Sequence, residues 1–187
     1  MSVVIITAPT PDLYLADVKA YLRIEHADDD AVIEGFIAAA SAWVDGPNGI
    51  LNRSIWPQTL ELRQDDFTAP VSLPYGPVSA IVSVKYIDAD GVEQTVGSSV
   101  YELADGVLGL AHNQSWPTPR GDVGGVRIRY AAGHSVGERE VQTVKQALLM
   151  LIAHWNANRE AVSVGGSVNE LPMGTRALLA PFLIWAV

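Results

Sequence analysis

At 187 residues the chain has room for one well-buried core and is near the usual size of a single domain. Apolar residues make up 49% and charged residues 18%, a globular balance rather than that of a disordered or fibrous chain. A formal net charge of −9 with only three lysines argues against a surface built to neutralise nucleic-acid phosphates, and the lack of cysteine excludes a disulfide framework, a thiolate nucleophile and cysteine-ligated zinc.

The opening MSVVIITAPTP has no basic n-region and too short an apolar run for a secretory signal, so the expectation is a chain made and kept in a cytoplasm. Sequons at Asn52 and Asn113 then carry little weight. Apolar runs near 147–153 and 177–187 fall short of the roughly 20 residues that cross a bilayer, and no membrane partner is expected.

Thr10-Pro11-Asp12 offers helix-start residues, and Leu15, Val18 and Leu22 recur at helical spacing, which predicts a short first helix. After Asp30 the positions Val32, Ile33, Phe36, Ile37, Ala40, Trp43 and Val44 repeat that period up to the breakers Gly46-Pro47-Asn48-Gly49. The pattern then changes to period two: Val78, Ala80, Val82, Val84 and Tyr86 share one parity and predict a strand over 78–87. Asp88-Ala89-Asp90-Gly91 follows as a hairpin turn, with Gly91 free to turn left-handed. Further strands are expected at 59–63, 100–103, 107–110 and 126–130, in an antiparallel sheet or small sandwich.

Helix returns after Glu138, where Val141, Val144, Leu148, Leu151 and Trp155 form one stripe and 148–153 is apolar on nearly every side. Residues 162–169 are small and Gly-rich. The ending TRALLAPFLIWAV is apolar after Arg176 and interrupted by Pro181, which should end or kink a helix; so much apolar surface suggests docking on a core or a partner. The expected class is α+β: one domain over 1–187, with a helical bundle from 10–48 and 138–185 and an antiparallel β-rich insertion at about 55–132.

Five features invite a chemical reading. Asp28-Asp29-Asp30 could hold a hard cation, but it lacks the spaced, Gly-containing loop of a calcium site; helix initiation is the stronger reading, through capping and the helix dipole. The pentapeptide GHSVG, Gly133 to Gly137, matches a nucleophile elbow between strand and helix. No acid followed by a suitably placed histidine lies downstream of Ser135, since His154 falls inside the next helix; a Gly-rich turn with Ser135 as a cap is the simpler account. His26, His112, His134 and His154 show no metal-ligand spacing, and no cofactor is expected. Arg127 and Arg129 read as the solvated face of a strand or as a basic face meeting an acidic partner, while Trp56 and Trp116, in loops, leave a carbohydrate-binding module as a further alternative.

In order along the chain stand VKAYLRIEHADDDAVIEGFIAAASAWV, VSLPYGPVSAIVSVKYIDADG, VRIRYAAGH, VKQALLMLIAHWNANRE and LLAPF. Together they resemble the head-to-tail connector, or adaptor, proteins of long-tailed bacteriophages and related gene transfer agents. The resemblance implies a non-enzymatic virion protein, made in a bacterial host cytoplasm, that forms a ring under the portal. A dodecamer is typical of that family; its partners are the portal, stopper or tail-terminator neck proteins, and other copies of itself. DNA passes through without specific binding. A portal contact is expected in the C-terminal segment, at Leu171, Arg176, Leu178, Leu179, Phe182 and Trp185, and a subunit interface or core at Leu148, Leu151, Ile152 and Trp155. In one departure from the family pattern, Leu183 stands where a basic residue is expected after LLAPF.

Overall fold

The computed structural model describes residues 1–68, 70–158 and 172–184. They divide into two compact units, one of residues 1–10 with 57–133, the other of 11–56 with 134–187. Among the described residues there are four α-helices and two antiparallel sheets, the α+β class expected.

The second unit gathers helices from both halves of the chain: α1 (Leu15–Leu22), α2 (Asp30–Val44), α3 (Arg139–Ala157) and α4 (Met173–Leu179). Asp17 starts α1 by accepting a hydrogen bond from the Tyr14 amide at 3.1 Å. Arg23 ends it in a left-handed conformation, with the amides of Arg23 and Ile24 donating to Ala20 and Lys19 carbonyls as in a Schellman motif. The next helix begins at Asp30, inside the aspartate triplet, and stops before a 3₁₀ turn at Gly46–Asn48, as its breakers predict. Ile33, Ala40 and Val44 of α2 meet Val141, Val144, Leu148, Leu151 and Ile152 of α3 in one core, to which the loop adds Leu51, Ile55 and Trp56. Each such aliphatic side chain removed from water contributes about 1.5–3 kcal/mol. Near the chain's end, α4 lies on α3, with Thr175 and Leu179 buried, and Pro181 falls in a 3₁₀ turn over Ala180–Phe182 as expected of a helix breaker.

The first unit contains β1 (Ser2–Thr7), β2 (Gln58–Gln64), β3 (Val71–Ser72), β4 (Val78–Ile87), β5 (Glu93–Thr95), β6 (Tyr101–Ala104), β7 (Val107–Leu110) and β8 (Val126–Ala132). The order β1-β2-β8-β4-β5 makes a five-stranded sheet and β3-β7-β6 a three-stranded one. Leu60, Leu62, Val84, Ile128 and Tyr130 of the larger sheet cluster with Val71, Leu73 and Leu108 around the smaller. Tyr130 is fully buried; burial raises its phenol pKa, and its hydroxyl donates to the Pro74 carbonyl at 2.8 Å.

Two expectations change here. The N-terminal strand β1, which pairs with β2 at the sheet edge, falls outside the expected β region. The single parity expected of β4 also breaks: its pairing with β8 shifts between Val78 and Ala80 and again between Ile81 and Ser83. These irregularities turn Ile81 toward the core and leave Val82 56% exposed. The Asp88 turn forms as expected, with Gly91 at φ 82° and the Asp88 carboxylate accepting from the amides of Asp90 and Val92.

Candidate assembly interface

The places that the sequence singled out can now be built from their residues. GHSVG forms the turn from β8 into α3. Glu138, at the N-cap position of α3, directs its carboxylate back across this turn: Oε1 accepts the Ser135 amide at 3.0 Å and Oε2 lies 2.9 Å from His134 Nδ1. The His134 contact, followed by the Ser135 amide, holds the Glu138 carboxyl below its usual pKa. Glu138 thus occupies the N-cap position without a side-chain cap hydrogen bond, and Ser135 lies three residues before it. His154, the histidine downstream of Ser135, lies about 22 Å along α3 from the helix start at 1.5 Å per residue and cannot reach this serine. A carboxylate, rather than a distant imidazole, faces this serine.

His134, Glu138 and Glu140 each offer a ligand atom within 4.8 Å of the others and are, among the described residues, the group of three that could hold a metal ion. Within this group His134 Nδ1 is engaged with Glu138 at 2.9 Å. The aspartate triplet is split between tasks: Asp28 is exposed beside His26, Asp29 occupies the N-cap position, and Asp30 takes Lys19 Nζ at 2.6 Å. Lys19 also donates to the His26 carbonyl at 2.7 Å, clasping the α1–α2 junction. Nothing in the placement of the two tryptophans supports the carbohydrate reading. Trp56 is wholly inside the helical core, and Trp116 stacks on Phe67 with ring centroids 4.7 Å apart, with Tyr101 beside it.

Within the C-terminal segment, Leu179 belongs to the helical core, while Leu178 and Phe182 pack partly buried against it. Arg176 is exposed, and so is Met173, at 88%. Leu171 and Trp185 lie outside the described residues. The segment is tied down at its end by the Ile184 amide donating to the Leu51 carbonyl and Asn52 Nδ2 donating to the Ile184 carbonyl. Leu148, Leu151 and Ile152 are fully buried within their own unit; Trp155 is half-buried against Phe36, centroids 5.9 Å apart.

The sequence set Arg127 and Arg129 on one solvated strand face; what it did not show is that Glu61, Arg63, Lys85 and Glu93 join them there. Pairing places Glu61 opposite Arg129, and Arg63, Arg127 and Lys85 in one row, all on the face away from the apolar core. Glu61 Oε2 receives Arg129 at 2.8 Å and Oε1 receives Arg63 at 2.8 Å. Burial raises the Glu61 pKa, but the hydrogen bonds and charges of Arg129 and Arg63 outweigh it and leave the carboxyl below its usual value. Arg127 and Lys85 share Glu93 of β5 at 3.0 and 2.7 Å. The alternation Glu61-Leu62-Arg63 facing Arg127-Ile128-Arg129 was a usable signal, since like parities on paired strands meet on one face.

Comparison with known proteins fits this architecture. No curated protein matches the chain. Its fold is similar to that of a chain in the neck of an empty gene transfer agent particle computed with C6 symmetry: TM-score 0.77 at 22% identity, covering 100% of this chain and 97% of that one. A chain of the native gene transfer agent virion gives 0.76 at 22% identity, and one from the native neck computed with C12 symmetry gives 0.67 at 20%, both with the same coverage. The family model for head completion proteins matches residues 13–178, which takes in α1 through nearly all of α4, and the chain belongs to the head completion protein family.

Proposed function

We propose that the chain is a non-enzymatic structural connector of a phage-like particle or gene transfer agent, set between the portal and the stopper or tail-terminator proteins of the neck. Copies of it form a ring around the DNA path, a dodecamer in the connectors it resembles. What supports this reading above all is a family match over residues 13–178, joined to likeness of fold along the whole chain to neck components of gene transfer agent particles. The net charge of −9 suits a conduit, because a negative wall does not retain passing phosphates.

In this reading the portal contact lies in the C-terminal segment, with Arg176 and Met173 outward and Leu178 and Phe182 beneath them; Leu171 and Trp185 complete the assignment. Leu179 anchors the segment from inside. Co-sedimentation with assembled portal tests it. Met173→Glu with Arg176→Glu should weaken binding at least about tenfold, about 1.4 kcal/mol, while leaving the thermal midpoint unchanged. Full affinity in that variant removes the segment from the contact, and a wild type that never co-sediments with portal removes the connector reading.

A further inference from the structure

We infer that neighbouring copies join through the β unit, the basic face of one five-stranded sheet receiving the acidic loop end of the next. The face carries Arg63, Arg127, Arg129 and Lys85 against Glu61 and Glu93, four cations to two carboxylates. Its balance is uneven in depth: the Glu61 side chain is 4% exposed, whereas Glu93, at 37%, is exposed much as the arginines and the lysine, at about 40%, are. An approaching surface therefore meets mostly positive charge, in a chain whose net charge is −9.

The complement is on the same unit. Pairing of Gln64 with Val126 and of Lys85 with Arg127 brings the loop after β2, the turn after β4 and the loop before β8 to one end of the sheet. These loops are linked there. The Asp65 carboxylate accepts the Gly124 amide at 2.7 Å, and the Arg120 amide donates to the Ile87 carbonyl at 2.9 Å. That end holds Asp65, Asp66, Asp88, Asp90 and Asp122 with Arg120 as the cation among them, itself paired with Asp122 at 2.6 Å. One unit thus presents a basic face and an acidic end, unlike patches of the kind a head-to-tail ring requires. Duplex DNA suits this face less well, because aspartates border it at the strand ends and two carboxylates lie within it. The inference rests on the ring reading above and names its subunit contact.

Cross-linking tests it cleanly, since the chain has no cysteine of its own. Ser83→Cys places a thiol on the basic face beside Arg129, and Ala89→Cys places one in the acidic turn. With assembled portal present, oxidation of a chain carrying both should give a ladder of covalent oligomers, and a mixture of the two single variants should stop at dimers. The ladder should shrink at least tenfold between 0.1 M and 1 M salt, as the Debye length falls from about 10 to about 3 Å. Lys85→Glu with Arg127→Glu should abolish it and leave the Glu61 pocket intact. Adding a chain with Asp66→Lys and Asp90→Lys, itself unable to ladder, should restore mixed products. Absence of cross-links while wild type still co-sediments with portal overturns this interface and spares the connector reading. A doubly substituted chain that stops at dimers overturns the head-to-tail arrangement, and capture of short duplex DNA by the basic face without cross-links assigns it to phosphates instead.

Discussion

Asp45 and Glu61 are carboxylates nearly closed off from water, 7% and 3% exposed, and each is satisfied in a different way. Asp45, following α2, accepts the amides of Ile55 and Trp56 and so folds the 46–56 loop onto the helical core. Asp45→Ala leaves those two buried donors without that acceptor, and at about 1–3 kcal/mol per lost partner the denaturation midpoint should fall clearly. Beneath the same loop, a Cβ on Gly49 would lie 2.4 Å from the backbone of Asp45 and Val44. Gly49→Ala should therefore cost about 1–3 kcal/mol, because backbone rather than a flexible side chain must yield. Glu61 has a pH signature. Its folded pKa lies below the ordinary 4.5, so its contribution is complete above that value and is lost as pH falls through the folded pKa. Acid titration of stability should show a weaker pH dependence below about 4.5 in Glu61→Gln than in wild type; identical curves would contradict the Arg63–Glu61–Arg129 arrangement.

Among the elements, legibility followed burial. α2 and α3 were readable because each shows one apolar stripe to a single core, and the β4–β5 turn because Asp88 and Gly91 carry its geometry locally. β1 was not readable: SVVIIT is apolar at nearly every position and partners a strand more than fifty residues away, so it has neither alternation nor local pairing to betray it. Val82 was misplaced because a register shift leaves no mark on composition. The start of α3 at Glu138 rather than at Ser135 was passed over because the turn before it looked like a serine motif. At the α1–α2 junction the aspartates do begin the helix, and Asp30 is held there by a partly buried ion pair with Lys19. Asp30→Ala should accordingly cost no more than about 1 kcal/mol in a denaturant titration. In the C-terminal segment the sequence showed an apolar surface in need of cover, yet not that Leu179 satisfies it from within while Arg176 stays outside.

At the scale of the whole molecule, two compact units of different construction divide the work the sequence could only hint at. The helical unit buries its stripe internally and ends in the proposed portal-binding segment; the β unit keeps a charged sheet face opposite its apolar one. Membership in the head completion family joins these features into one structural role, that of a head-to-tail connector. Electron microscopy of assembled portal mixed with the wild-type chain tests that role most directly. The account predicts an added ring of density on one face of the portal, with the chain's copies matched to the portal's symmetry. Portal particles unchanged at saturating chain, with the chain left wholly in the supernatant, would contradict it.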